Sequence, residues 1–142
     1  MEQKFIMKKV VIDTMGVKCS YKLESVNPDG TTETTEYTQT SNRPPHPDLL
    51  KHVEELGKIA AQIIGVENAS VTHITLSGKG DKKGIAMSGY IRRVKFSIPT
   101  VRYGSNDSEV AVKLTVIVAA LEEEIKKYLF DDKYASEGVL GE

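Results

Sequence analysis

The chain has 142 residues, a net charge of −1, 39% hydrophobic and 27% charged side chains, which supports one domain burying roughly 70% of its unfolded surface without help from a metal. The composition excludes a disordered polar chain, and a lone cysteine, Cys19, excludes an internal disulfide framework. No apolar run reaches about 18 residues and MEQKFIMKKVVID lacks the apolar core of a signal peptide, so a cytoplasmic protein without membrane association is expected.

In chain order, KFIMKKVVID (residues 4–13) is β-rich with imperfect alternation, and Met15-Gly16 offers a turn. VKCSYKLESV then alternates, placing Val17, Cys19, Tyr21 and Leu23 on one face and lysines, serine and glutamate on the other, the pattern of a half-buried strand. NPDG at 27–30 predicts a tight turn, and the Thr-rich TTETTEYTQ after it has little to bury, so it reads as an exposed edge strand.

From Asp48 the period changes to that of a helix, with Leu49, Leu50, Val53, Leu56, Gly57, Ala60, Ile63 and Ile64 inward and Gly65 as the stop. Pro47 suits its first turn and Asp48 favours its positive end. Pro44 and Pro45 hold the approach extended, which leaves Arg43 and His46 with no part in starting the helix.

Alternation returns in ASVTHITLS (69–77). The loop SGKGDKKG leads to IAMSGYIRRVKFSIP, where the apolar parity switches from odd (Ile85, Met87, Ile91) to even (Val94, Phe96, Ile98). A bulge near Gly89–Arg93 is the economical reading, with Pro99 closing the strand. The last segment fits a strand at 110–118, but its length, the set Val110, Leu114, Ile117, Leu121, Ile125 and Tyr128, and i,i+4 pairs Glu109/Lys113, Glu122/Lys126 and Glu123/Lys127 predict one helix over about 107–130. Asn106 and Glu109 would form its capping box. The expectation is an α+β domain over residues 1–133, an antiparallel sheet of about five strands in the order βββ-α-ββ-α with two helices on one face, and a short, disordered tail over 134–142.

Charge is unevenly spread. Residues 79–104 carry seven basic side chains against Asp81 alone, a block of +6, whereas residues 105–142 sum to −5. The Gly-rich loop matches neither phosphate-binding glycine motif and joins two strands, so no helix end is available to hold phosphates there. It reads either as a flexible lysine-solubilised hairpin or as a phosphate contact. The run YIRRVKF with Tyr103 nearby interleaves basic and aromatic residues as single-strand binders do; its plain reading is a solvated basic strand. His46, His52 and His73 lack metal-ligand spacing, Cys19 reads as a buried inert thiol, and Glu122–Glu124 as a solvated helix face. No cofactor, metal site or catalytic motif is indicated, so a non-enzyme is expected.

The stretch Arg43-Pro44-Pro45-His46-Pro47-Asp48-Leu49, with the Ile74–Gly78 and Ser88-Gly89 hairpin elements and the Glu-rich helix and Lys-containing tail of Glu122–Lys133, resembles small phage and prophage proteins. The resemblance implies a phage-type accessory protein, in the host cytoplasm, acting around DNA replication or recombination, and transfers no catalytic residue.

The leading expectation is a non-catalytic binding protein that meets a polyanion, single-stranded DNA above all. Lys79, Lys82 and Lys83 would touch phosphates, Arg92, Arg93 and Lys95 would line the strand, and Tyr90 or Tyr103 would stack. A second is a small-nucleotide sponge using an anion corner of Arg43 and His46 with the Gly-rich loop. A third is a protein-interaction or assembly factor, working through the Thr-rich edge or as a homo-oligomer.

Overall fold

Strands β1 (Gln3–Asp13) and β2 (Gly16–Val26) form a hairpin in register from Gln3↔Ser25 to Asp13↔Gly16. The structure, a computed structural model, describes residues 3–13, 15–105 and 107–135. At the first turn the Asp13 carboxylate accepts from the amides of Met15 (2.7 Å) and Gly16 (3.0 Å). The alternation of β2 acts as predicted: Val17, Cys19 and Tyr21 are buried. Burial also pushes the Cys19 thiol up to about 12, which makes it a packing group rather than a nucleophile. The NPDG turn forms with Gly30 donating to the Asn27 carbonyl at 2.9 Å and Asp29 accepting from the Thr31 amide at 3.0 Å. Strand β3 (Thr32–Ser41) pairs with β2 along its length and is one edge of the sheet.

Helix α1 (Pro47–Ile64) begins with Pro47 in its first turn and ends at Gly65, which takes the left-handed conformation and donates to the Ala61 carbonyl at 2.8 Å. Leu49, Val53, Leu56, Gly57 and Ala60 face inward as the spacing predicts. Ile63 and Ile64 do not: both are exposed in the last turn, while Ile59 and Ala61 are buried.

Strand β4 (Ser70–Ser77) is followed by a single 3₁₀ turn (Gly80–Lys82), then β5 (Gly84–Ile91) and β6 (Val94–Arg102). The expected single strand with a bulge near Gly89–Arg93 is therefore two strands. Ile91 pairs with Val94 and Arg92-Arg93 is a two-residue turn, which reverses the chain and by itself switches the apolar parity. Nor does Pro99 close a strand. β6 runs past it, and the register slips between Ile85↔Val101 and Met87↔Ile98. Proline is accommodated there because β6 is the other sheet edge and the slip is a bulge.

The ambiguous last segment is helix α2 (Glu109–Phe130), capped by the Ser108 hydroxyl, which accepts from the Ala111 amide at 3.0 Å. The predicted cap Asn106 lies outside the described residues. Glu109–Lys113 pairs as expected at 3.2 Å, but Lys126 and Lys127 each reach three residues back, to Glu123 (3.1 Å) and Glu124 (3.5 Å).

The result is an α+β fold with one fully antiparallel six-stranded sheet, ordered β3-β2-β1-β4-β5-β6. One buried cluster joins Val10, Cys19, Ile74 and Met87 from the strands to Leu49 and Leu56 of α1 and Leu114, Leu121 and Ile125 of α2. Both helices therefore cover one face, and the opposite face carries the alternate residues of every strand. No helix among the described residues is long and apolar enough to cross a membrane.

Candidate functional site

Two features of β1 open a cleft in this sheet. Its register against β2 shifts between Met7 and Lys9, so Lys8 is the extra residue of a bulge, which bends and twists the strand. Beyond the bulge β1 parts from β4: among the described residues the two pair only at Lys9↔Thr75, Val10↔Ile74 and Val11↔His73. On the far side β4 ends at Ser77 and the chain turns away at Gly78, φ 77°. The space between has a volume of about 390 Å³, within the range of small-molecule sites, roughly 300–1,000 Å³.

The Gly-rich loop forms one wall and is tied down rather than loose. The amide of Tyr103 donates to the Lys83 carbonyl at 2.9 Å and that of Lys82 to the Lys79 carbonyl at 3.0 Å, while the Arg102 guanidinium donates to the Lys82 carbonyl at 3.0 Å. Gly104 allows this approach: a Cβ there would stand 2.1 Å from the Gly80 carbonyl oxygen.

Five lysines line the cleft, Lys4 and Lys8 from β1, Lys22 from β2, Lys79 and Lys83 from the loop. Among the described residues none of the five makes an ion pair, in contrast to Lys113, Lys126, Lys127 and Lys133 on or after α2, all of which do. The apolar floor comes from Phe5, Met7 and Leu76, and the acids are Glu24 and Glu122. Glu122, reaching in from α2, is half-buried rather than part of a solvated face. Burial pushes its carboxyl above the usual range, and Lys83 most of all, then Lys126 and Lys4, pull it part of the way back. Its turn toward the cleft explains why Lys126 bonds Glu123 instead of Glu122. Tyr103 lies deep in the wall, 5% exposed, with its hydroxyl pushed up to about 12 by burial and by Glu122.

The sequence-predicted residues divide three ways. Lys79, Lys83 and Tyr103 line the cleft, though the buried Tyr103 ring offers no open platform for a base; Lys82 sits in the loop's 3₁₀ turn. Tyr90 and Lys95 are cross-strand partners on the uncovered face, at the far edge of the sheet. Arg92 and Arg93 form the tip of the β5–β6 hairpin, roughly 25 Å along the strands from the loop.

Arg43 and His46 lie in another corner, and both have structural work there. His46 is the N-cap of α1: its Nδ1 accepts from the Asp48 amide at 3.0 Å. The Arg43 carbonyl accepts from the Tyr128 hydroxyl at 2.6 Å, and its guanidinium stands 5.3 Å over the Tyr134 ring. Tyr134 bridges to Pro45 and the Ala135 amide donates to the Pro44 carbonyl at 2.9 Å, so the start of the predicted tail docks on this corner; residues 136–142 lie outside the described residues. The Gly-rich loop and the anion corner are thus not brought into one site.

Sequence reading missed Lys4, Lys8, Lys22 and Glu122, since only the β1–β4 divergence assembles them. Elsewhere His52 bonds Glu55 at 2.9 Å and His73 bonds the Thr72 hydroxyl at 2.8 Å; no metal-binding group of three or more His, Cys, Asp or Glu occurs among the described residues. No protein family, curated protein or solved structure matches the chain. Fold and site define an open-faced α+β layer with a lysine-lined cleft.

Proposed function

We propose that the protein is a non-catalytic, phage-type accessory protein that binds single-stranded DNA across the uncovered face of its sheet. One observation carries this reading: Lys9, Lys18, Lys22 and Lys95 share the face that no helix covers and make no ion pairs among the described residues. Six strands span about 24 Å, room for a backbone to be tracked by ammonium groups. Tyr90, beside Lys95 and 40% exposed, offers a ring on which a base stacks. The contact is mostly to phosphate, so affinity tracks charge more than sequence.

Fluorescence anisotropy with a labelled oligo-dT over a salt series tests it. Four phosphate contacts give a slope of log K against log salt of about −3, and Lys18→Met with Lys22→Met lowers it by about 1.4. An anisotropy that stays flat at low salt rules the reading out.

A second reading, as an assembly factor, rests on β3. This outermost strand is exposed at most positions and contains no proline, so its free edge can add a strand from a partner. Light scattering that shows a monomer at all concentrations counts against self-assembly through it.

A further inference from the structure

The β1–β4 cleft has a composition that the uncovered face lacks: lysines beside an apolar lining and a carboxylate that reaches in from α2. Five lysines against Glu24 and Glu122 leave a net charge of +3, which suits an anion of similar charge rather than a single phosphate. Lysines alone would draw any polyphosphate. Phe5, Met7 and Leu76 add a surface that a polyphosphate cannot use and a nucleoside can. Glu122 adds an oxygen that can accept from an N–H or O–H group, with Lys83 and Lys4 near enough to offset part of the cost of burying its charge. The site's walls are also built in advance. Gly78 lets the loop close on its own Lys82 backbone and Gly104 lets it pack against the end of β6, so the wall that carries Lys79 and Lys83 is held in place.

We propose that this cleft binds a nucleoside triphosphate, with Lys4, Lys8, Lys22, Lys79 and Lys83 holding the phosphates, the apolar floor receiving the nucleoside, and Glu122 accepting a hydrogen bond from it. The ligand is either free nucleotide or the phosphorylated 5′ end of a strand, which share this chemistry. The site shares Lys22 with the open face but includes none of Lys9, Lys18, Lys95 and Tyr90, so Lys83 reports on the cleft and Lys18 on the open face.

Isothermal titration of the full chain tests the proposal with ATP and GTP in the presence of EDTA, with tripolyphosphate and adenosine as controls. A 5′-triphosphorylated oligo-dT and its 5′-hydroxyl counterpart form the second arm. The expected result is that at least one nucleotide binds ten or more times tighter than tripolyphosphate, and that Lys22→Met with Lys83→Met raises its Kd at least tenfold. Lys18→Met leaves nucleotide binding unchanged while weakening oligo-dT. A preference for the triphosphorylated strand over both the hydroxyl strand and the free nucleotide assigns the ligand as a strand end; equal binding of the two strands with tight free nucleotide assigns it as a free molecule. Three results overturn the proposal: no nucleotide or triphosphorylated end binds; tripolyphosphate binds as tightly as ATP and GTP; or the double lysine variant, shown by circular dichroism to be folded, binds as the wild type does. Each leaves the open-face reading to stand or fall on the oligo-dT salt slope.

Discussion

Arg92 takes φ 61° at the first position of the two-residue β5–β6 turn. A positive φ at this position is the pattern of a type II′ turn, where glycine is preferred because a Cβ crowds the backbone. The strain for an L-residue there is about 1–2 kcal/mol, and the extra unfolded-state freedom of glycine offsets about 0.4–1 kcal/mol of any relief. Arg92→Gly is therefore expected to stabilise the protein by about 0.5–1 kcal/mol, seen as a higher denaturant midpoint at an unchanged slope. The same residue explains why the hairpin was not legible in the sequence. A turn is read from Gly, Asn or Asp, and Arg-Arg gives no such signal, so in the sequence the parity switch reads as a bulge. NPDG and Gly65 carry those signals and form where they predict. His46 is not legible as a helix cap for a similar reason: serine, threonine, aspartate and asparagine are the expected caps, yet an imidazole nitrogen does the same work here. Replacing it, as His46→Ala, is expected to cost about 1 kcal/mol, measured by thermal or denaturant unfolding.

At the scale of elements, the helices and most strands follow from periodicity, because each buries one stripe against the sheet and that stripe is written locally. The cleft does not, since it depends on how far β1 and β4 pair across more than sixty intervening residues. Only the imperfect alternation at Lys8-Lys9 hinted at the bulge from which β1 departs. The other wall rests on the packing of the Gly-rich loop against the end of β6. Gly104→Ala would set a Cβ 2.1 Å from the backbone oxygen of Gly80, and backbone cannot yield as a flexible side chain does. The loop must lift from β6, at a cost of about 1–3 kcal/mol, with loss of the Tyr103 and Gly104 bonds to the Lys83 carbonyl. Hydrogen exchange should find the amides of Tyr103 and Gly104 faster in this variant, with the β2 amides unchanged; equal exchange at all of them contradicts the tied-down wall.

Over the whole molecule, α2 links two charged regions through carboxylates two residues apart, about 200° around the helix. Glu122 turns into the cleft, while Glu124 turns toward the corner where the chain's last described residues dock. There Lys133 bridges Asp48 of α1 at 2.9 Å and Glu124 at 2.8 Å, beside Tyr134 packed edge-on against Tyr128. The bridge sets the charge states. Hydrogen bonding to Lys133 holds the Asp48 carboxyl below its usual range, and for Glu124 the upward push of partial burial is outweighed by Lys133 together with Lys127; the two carboxylates in turn raise Lys133, Glu124 first. Carboxyls lowered in the folded state contribute stability that is present above their unfolded pKa, about 4, and lost as pH falls through the folded values. A raised lysine contributes stability present below about 10.4 and lost as pH rises through its folded value. The clasp thus acts between those limits. Lys133→Met should lower Tm relative to wild type from roughly pH 5 to pH 9, with the two curves converging in acid, because there the carboxyls are protonated in both proteins. The effect should also shrink in high salt, since Asp48 is largely exposed. A Tm difference that persists undiminished at low pH would assign the clasp to packing of the Lys133 stem and the Tyr134–Tyr128 contact rather than to its charges.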